Sequence, residues 1–310
     1  MRAARLYAPG DLRIEDVPKP EPGPGEVLVQ VEVALTDGTD LKTYRRGHPL
    51  LLEDPPIPFG HEFCGLVDGR RVVAANSAPC GACAGCERGE QCRQLVFFSG
   101  AYADWLVVPA RIAAVNLHEV PPGVAPEVAA MVEPLACCLR GVERAAVQAG
   151  DAVAILGAGP IGLMLSACVA DAGGWPVIVG GREERRALAE AFGAELGDGR
   201  GADVVIEAAG TEQAWGDAQK LVRPGGTVLL FGGLPGDARP GLDAYRVHYE
   251  ELTIRGSFHH TPATVRAALG FLASGAYPWE RLVTHRVLLE QLPELFAAPP
   301  RDLLKAAVTP

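Results

Sequence analysis

A chain of 310 residues is long enough for two domains, each with a core of its own. Its formal net charge of −10, with no basic cluster to override it, excludes a nucleic-acid surface, and its hydrophobic fraction of 48% is that of a soluble globular protein. The opening MRAARLYAPGD lacks the apolar stretch of a signal peptide, so a cytoplasmic location and no membrane partner are expected.

Pro18, Pro20, Pro22 and Pro24 make an extended entry that excludes helix. Valine or leucine at every odd position from Val27 to Leu35 then predicts a strand. Thr36-Asp37-Gly38-Thr39-Asp40-Leu41-Lys42 reads as a turn into a short helix. Pro55-Pro56-Ile57-Pro58-Phe59 leads to Gly60-His61-Glu62, and short strands follow around Gly65–Val67 and Arg71–Ala75. Short strands and turns of this kind predict a compact β-rich domain.

Cys80, Cys83, Cys86 and Cys92 fall within thirteen residues. Four thiolates so close fit a closed tetrahedral zinc site with no open position for chemistry, and hence a structural metal. An iron–sulfur cluster also uses four cysteines and is the alternative.

From Val124 the pattern turns helical, and Met131-Val132-Glu133-Pro134-Leu135-Ala136 sets an acid in an apolar segment, where it needs a cation or a metal. Ala152 to Ala170 carries no charged residue and is about long enough to span a bilayer. Glycines break it into strand Ala152–Leu156 and a helix, and Asp151 and Asp171 bound it, so it reads as buried core. At the break, Gly157-Ala158-Gly159-Pro160-Ile161-Gly162 has the glycine spacing of a turn that receives a dinucleotide pyrophosphate at a helix N-terminus. Strand Pro176–Gly180, helix Arg182–Phe192, strand Asp203–Ala208 and helix Glu212–Val222 follow. An Arg223-Pro-Gly-Gly turn leads to strands Val228–Gly232 and Leu252–Ser257, then helix Pro262–Ala273. The chain closes with a β-like Leu282–Leu288, a helical Gln291–Ala297 and a strand around Lys305–Val308.

In this order DGTD at 37–40, GHE at 60–62, the four-cysteine lobe, EPLA at 133–136, GAGPIG at 157–162, RPGG at 223–226 and IRGS at 254–257 resemble the zinc-dependent medium-chain dehydrogenases of alcohols, polyols and sugars. The resemblance covers nearly the whole chain. It implies an α/β protein: a GroES-like β-rich catalytic domain over residues 1–120, a Rossmann NAD(P)-binding domain with a doubly wound parallel sheet over 121–258, and a return segment, 259–310, that completes the first.

The family's catalytic zinc takes Cys, His and either Cys or Glu, which here correspond to Asp37, His61 and Glu133, with Glu62 as an alternate ligand. Aspartate keeps the charge of the thiolate it replaces, but an oxygen ligand admits harder ions such as manganese or magnesium. The DGTD form is similar to that of some sugar dehydrogenases of the family, notably glucose dehydrogenases of halophiles. Thr39 matches the hydroxyl that takes the substrate's proton, and is also a favoured helix N-cap. Lys42 matches the end of the proton relay in some members. His259-His260 follows the IRGS strand, where the family places no metal, so solvent or cofactor contact is expected there.

Within the resemblance, Gly157, Gly159, Pro160, Ile161 and Gly162 hold the cofactor, and Lys305 matches a position that reaches its pyrophosphate. An NAD site carries an acid at the end of the second strand. This chain has Gly180, Gly181 and then Arg182, with Arg186 one turn on, so NADP is expected to be favoured over NAD. Only Gly197–Gly201 separate Leu196 from Ala202, too few for a parallel crossover. The third strand and its helix are therefore expected to be missing, which trims the sheet to five strands. The reading is a hydride-transferring dehydrogenase with one catalytic and one structural zinc, acting on a secondary alcohol, polyol or sugar, and forming a homodimer or homotetramer. A metal-free NADPH-dependent enone or quinone reductase and a non-catalytic nucleotide sensor are the alternatives.

Overall fold

The computed structural model describes residues 1–47 and 54–310. They form two compact units, Met1–Pro134 with Thr261–Pro310, and Leu135–His260. Residues 121–134, which the sequence places with the nucleotide-binding part, pack in the first unit. There the helix Pro126–Ala129 lies against the strands Val27–Leu35 and Glu62–Val67.

The main sheet of the first unit runs in the order Leu117–Glu119, Arg70–Ala74, Glu62–Val67, Val27–Leu35, Lys305–Thr309, Val283–Leu288, with Trp105–Val108 also paired to Val27–Leu35. Val27–Leu35 is central because its alternation buries Val29, Val31, Val33 and Leu35. A second sheet pairs Arg2–Ala8 with Asp11–Asp16 and Ile57–Pro58; sequence reading offers no strand for the first two. Their arginines and acids hide the alternation, yet Leu6 and Leu12 are buried in the same core as Phe59, Phe63, Tyr102 and Phe296. The last strand sets Ala307 opposite Leu35, while Leu35 faces Glu62 on its other side. Chain ends remote in sequence thus meet where Val27–Leu35 terminates.

In the second unit six parallel strands run in the order Glu195–Leu196, Trp175–Val179, Ala152–Leu156, Ala202–Glu207, Val222–Leu230, Thr253–Gly256. The expected five strands are therefore corrected to six: the third strand exists, two residues long, and only the helix after it is missing. Leu196 ends beside Ile178, and Gly197–Gly201 cross the face of the sheet directly. Three strand spacings are about 14 Å, and six Cα steps reach about 20 Å. Gly199 makes this possible: with φ of 65° and a Cβ position 2.6 Å from Val179 and 2.8 Å from Ala154, it lies flat on the sheet.

Two other elements differ from expectation. The helix expected over Arg182–Phe192 is only Glu183–Arg186 and a 3₁₀ turn, Glu190–Phe192; its first turn buries no residue, so no packed face sustains it. The Arg223–Gly226 turn is a bulge within Val222–Leu230, where Gly225 adopts φ of 73° and donates its N–H to Glu250. The apolar run from Ala152 resolves into a strand and the helix Pro160–Asp171, and no helix among the described residues is long and apolar enough to cross a membrane.

Candidate metal centre and nucleotide turn

Where Val27–Leu35 ends, Asp37 caps the helix Gly38–Arg46: its Oδ1 accepts from the Asp40 N–H at 2.8 Å. The cap is Asp37 and not Thr39, which sits half-buried in the first turn. The other oxygen, Oδ2, lies 3.8 Å from His61 Nε2. Glu133, in the first turn of the helix Val132–Ala145, brings Oε2 to 4.0 Å from the same nitrogen. Tetrahedral ligands about 2.0–2.2 Å from one ion lie ~3.3–3.6 Å apart, so both oxygens would close on the nitrogen by a few tenths of an ångström to share one zinc. The donor charges suit it too, since two carboxylates and a neutral imidazole balance a dication.

Titration behaviour points the same way. Burial alone would lower the pKa of His61, but the fields of Asp40, Asp37 and Glu133 raise it well above the imidazole range. The site draws in a positive charge, and without a metal that charge is a proton. His61 Nδ1 lies 3.0 Å from Asp40 Oδ1, which makes Nδ1 the protonated nitrogen and turns the Nε2 lone pair toward Asp37 and Glu133. Asp40 has no role in the sequence reading. The signal was present, because a ligating histidine commonly donates its second nitrogen to a carboxylate.

Glu62 lies within ligand distance of Asp37 and His61. Both its oxygens are already engaged, at 2.6 and 2.7 Å, by Lys305 Nζ, and the two residues are 0% and 1% exposed. Lys305, expected at a pyrophosphate, is instead a buried counter-ion, directed inward because Ala306 bonds through N–H and C=O to Thr36. Lys42 lies half-buried on the Gly38–Arg46 helix.

In the cysteine lobe, Cys80, Cys83, Cys86 and Cys92 place their sulfurs 3.6–3.9 Å apart along four edges of the cluster. Ligands at about 2.3 Å in a tetrahedron are about 3.8 Å apart, so the lobe fits zinc without rearrangement. Backbone N–H groups of Arg93 and Cys86 pull the Cys83 thiol down to about 6, which favours the thiolate that a metal needs.

In the nucleotide turn Gly157 and Gly162 answer to steric demands. Gly157 adopts φ of 116°, and a Cβ on Gly162 would fall 2.0 Å from the Gly157 carbonyl oxygen. Gly159 is the N-cap of the helix and Pro160 its first residue, followed by Ile161. Gly181 adopts φ of 86°, with a Cβ position 2.6 Å from Ala158, so an acidic side chain is excluded there. Arg182 is exposed, and Arg186 has a buried Nε without an acceptor. Sequence reading passed over Glu207, fully buried at the end of its strand, whose Oε1 accepts from the N–H groups of Ala209 (2.8 Å) and Gly210 (2.6 Å). It pins the loop lying 3.5 Å from the Gly157 Cβ position. His259 and His260 meet edge to face, with ring centroids 5.2 Å apart.

Family models match stretches of both units. The alcohol dehydrogenase GroES-like domain matches residues 23–122 and the zinc-binding dehydrogenase model matches 160–274. The chain is 31% identical to the erythritol/L-threitol dehydrogenase of Mycolicibacterium smegmatis, over 94% of this chain and 92% of that one. It is 30% identical to the L-galactonate-5-dehydrogenase of Escherichia coli, over 94% and 93%. Among solved structures, a zinc-binding dehydrogenase of Sinorhizobium meliloti bound to NADP superposes with a TM-score of 0.88 at 32% identity, covering 100% of this chain and 99% of that one.

Proposed function

The chain belongs to the zinc-binding medium-chain alcohol dehydrogenase family and is an NAD(P)-dependent dehydrogenase, and on that premise we propose that it oxidises a secondary hydroxyl of a polyol or sugar acid, with NADP favoured. The observation that carries this reading is the convergence of Asp37 and Glu133 on one imidazole nitrogen. Asp37, His61 and Glu133 would hold the zinc, which would supply a Lewis acid lowering the pKa of the substrate hydroxyl. Thr39, two residues beyond Asp37, takes the hydroxyl proton, and Lys42 passes it outward along the same helix. NAD(P) held at the Gly157–Gly162 turn would supply the acceptor for the carbinol hydride. The polyol class is supported by the named substrates of the relatives.

Two zinc ions per chain are expected, one at the cysteine lobe. EDTA is expected to abolish turnover of a polyol and zinc to restore it; full activity after verified loss of the non-cysteine zinc would leave the metal-free reductase standing. A single zinc, with none at Asp37, would favour the sensor.

NADP selectivity rests on Gly181, which leaves room, and on Arg182 and Arg186, which supply charge; the orphaned Nε of Arg186 lacks the acceptor that a 2′-phosphate offers. Arg182→Ala is expected to raise the NADP KM about tenfold or more while leaving the NAD KM within about twofold. Equal changes for both cofactors would remove the phosphate assignment. Assembly as a homodimer or homotetramer is supported by the strand Thr253–Gly256, last in its sheet, with the exposed Tyr245 and Tyr249 on the short helix before it.

A further inference from the structure

A metal centre made of oxygen and nitrogen ligands depends on what holds those ligands still. Asp40 touches both halves of this one: its backbone N–H holds Asp37 Oδ1, and its Oδ1 faces His61 Nδ1. Its remaining oxygen, Oδ2, belongs to a residue only 3% exposed and would be costly to leave without a donor. The hydroxyl of Tyr102 fills that place. Its oxygen also lies 3.0 Å from the Leu35 carbonyl, but a single proton is held more strongly by a carboxylate than by a neutral acceptor.

The position of that hydroxyl is over-determined. The Tyr102 ring is 1% exposed and packs on Phe59 and Phe296, with centroids 5.8 and 6.2 Å away. Tyr102 N–H donates to Phe59 O, and the N–H groups of Gly100 and Ala101 both donate to Gly60 O. Gly60 itself, at φ of 87°, leaves the space the ring occupies: a Cβ there would fall 2.5 Å from it. The glycine preceding His61 is thus required by the tyrosine, and the two segments are laced together one residue before the ligand.

We infer that Tyr102 is a positioning residue of the metal centre, acting through Asp40 to fix the ring plane and tautomer of His61. Nothing in the local sequence, SGAYADW, points to it; the contact spans 62 residues. The inference rests on the proposed metal at Asp37, His61 and Glu133, and the cysteine lobe serves as its internal control.

The test is Tyr102→Phe, which removes one oxygen and keeps the ring. Wild type and variant, both loaded with zinc, are dialysed against rising EDTA, and the bound metal is counted. The non-cysteine zinc should leave the variant at ~10–100-fold lower chelator, the usual cost of losing an outer partner of a ligand. The cysteine-bound zinc should leave both proteins together. Identical release of the non-cysteine zinc from the two proteins would overturn the inference while leaving the metal reading intact. Loss of both ions in parallel, or collapse of the melting transition, would overturn it too, because the hydroxyl would then be holding the fold. A wild type with no second zinc would remove the metal reading itself, and this inference with it.

Discussion

Asp37→Asn is expected to cut turnover by at least ~10³-fold and empty the non-cysteine metal site, while leaving the stability of the metal-free protein nearly unchanged. The two oxygens of Asp37 have separate tasks. Oδ1 caps the helix Gly38–Arg46, and Oδ2 faces His61 Nε2. Asparagine caps as well as aspartate does, so the helix keeps its start. It also removes the negative charge, leaving one carboxylate and one imidazole to hold a dication. Asp37→Cys separates the tasks in the other direction. A thiolate restores charge and ligand, so zinc and most of the turnover should return, now with a softer site that excludes manganese more strongly. The cap is lost, at about 1 kcal/mol, and should register as a lower unfolding midpoint of the apo protein. Metal counts, turnover and apo unfolding of the two variants form one experiment. If Asp37→Asn kept its second zinc and its turnover, Asp37 would be a cap and nothing more, and the ligand set would have to be redrawn around Glu62.

These two tasks show what a sequence exposes and what it conceals. The nucleotide turn was legible because two of its glycines answer to local demands: Gly157 to its positive φ, Gly162 to a carbonyl 2.0 Å away. The cysteine lobe was legible for the same reason, its four ligands being local. Asp37 was legible as a candidate ligand through its neighbours in DGTD. The cap it forms was not assigned, because Thr39 is as good a capping residue by type. The His61–Asp40–Tyr102 chain was hidden, since each link joins different elements and none leaves a spacing to recognise. The third strand differs from expectation for a geometric reason: the crossover rule presumes full-length strands, and a two-residue strand leaves the chain close enough to cross on five residues, three of them glycine. Lys305 was assigned its position by motif, but its direction is set by the bonds between Ala306 and Thr36, 270 residues apart.

That direction determines what loss of the lysine does. Lys305→Met leaves the Glu62 carboxylate at 0% exposure with no counter-ion, a change of the kind that costs about 3–5 kcal/mol. Burial pushes the Glu62 carboxyl up, and Lys305 is the strongest of the charges opposing it. In the variant it therefore rises further, and the folded protein holds a proton that the unfolded chain releases near pH 4.3. A folded pKa above the unfolded one gives stability that is present at low pH and lost as pH rises. In the wild type the Glu62 carboxyl already stands at about 8, so both proteins lose this stability alike below that pH, and the deficit of Lys305→Met should be smallest below pH 8 and grow by up to ~1.4 kcal/mol per unit above it. Lys305→Met combined with Glu62→Leu removes both charges. It should recover most of the loss and flatten the pH dependence, since a buried pair replaced whole by apolar groups is often neutral or better. Urea unfolding of wild type, single and double variants from about pH 6 to about pH 10, across the Glu62 value of about 8, measures all of this. A single variant as stable as wild type at every pH, with a raised NADP KM instead, would return the ammonium to the pyrophosphate and reduce the ion pair to a resting contact. The double variant addresses function as well: if it is stable yet slow, the pair supplies a field at the metal centre that packing alone does not.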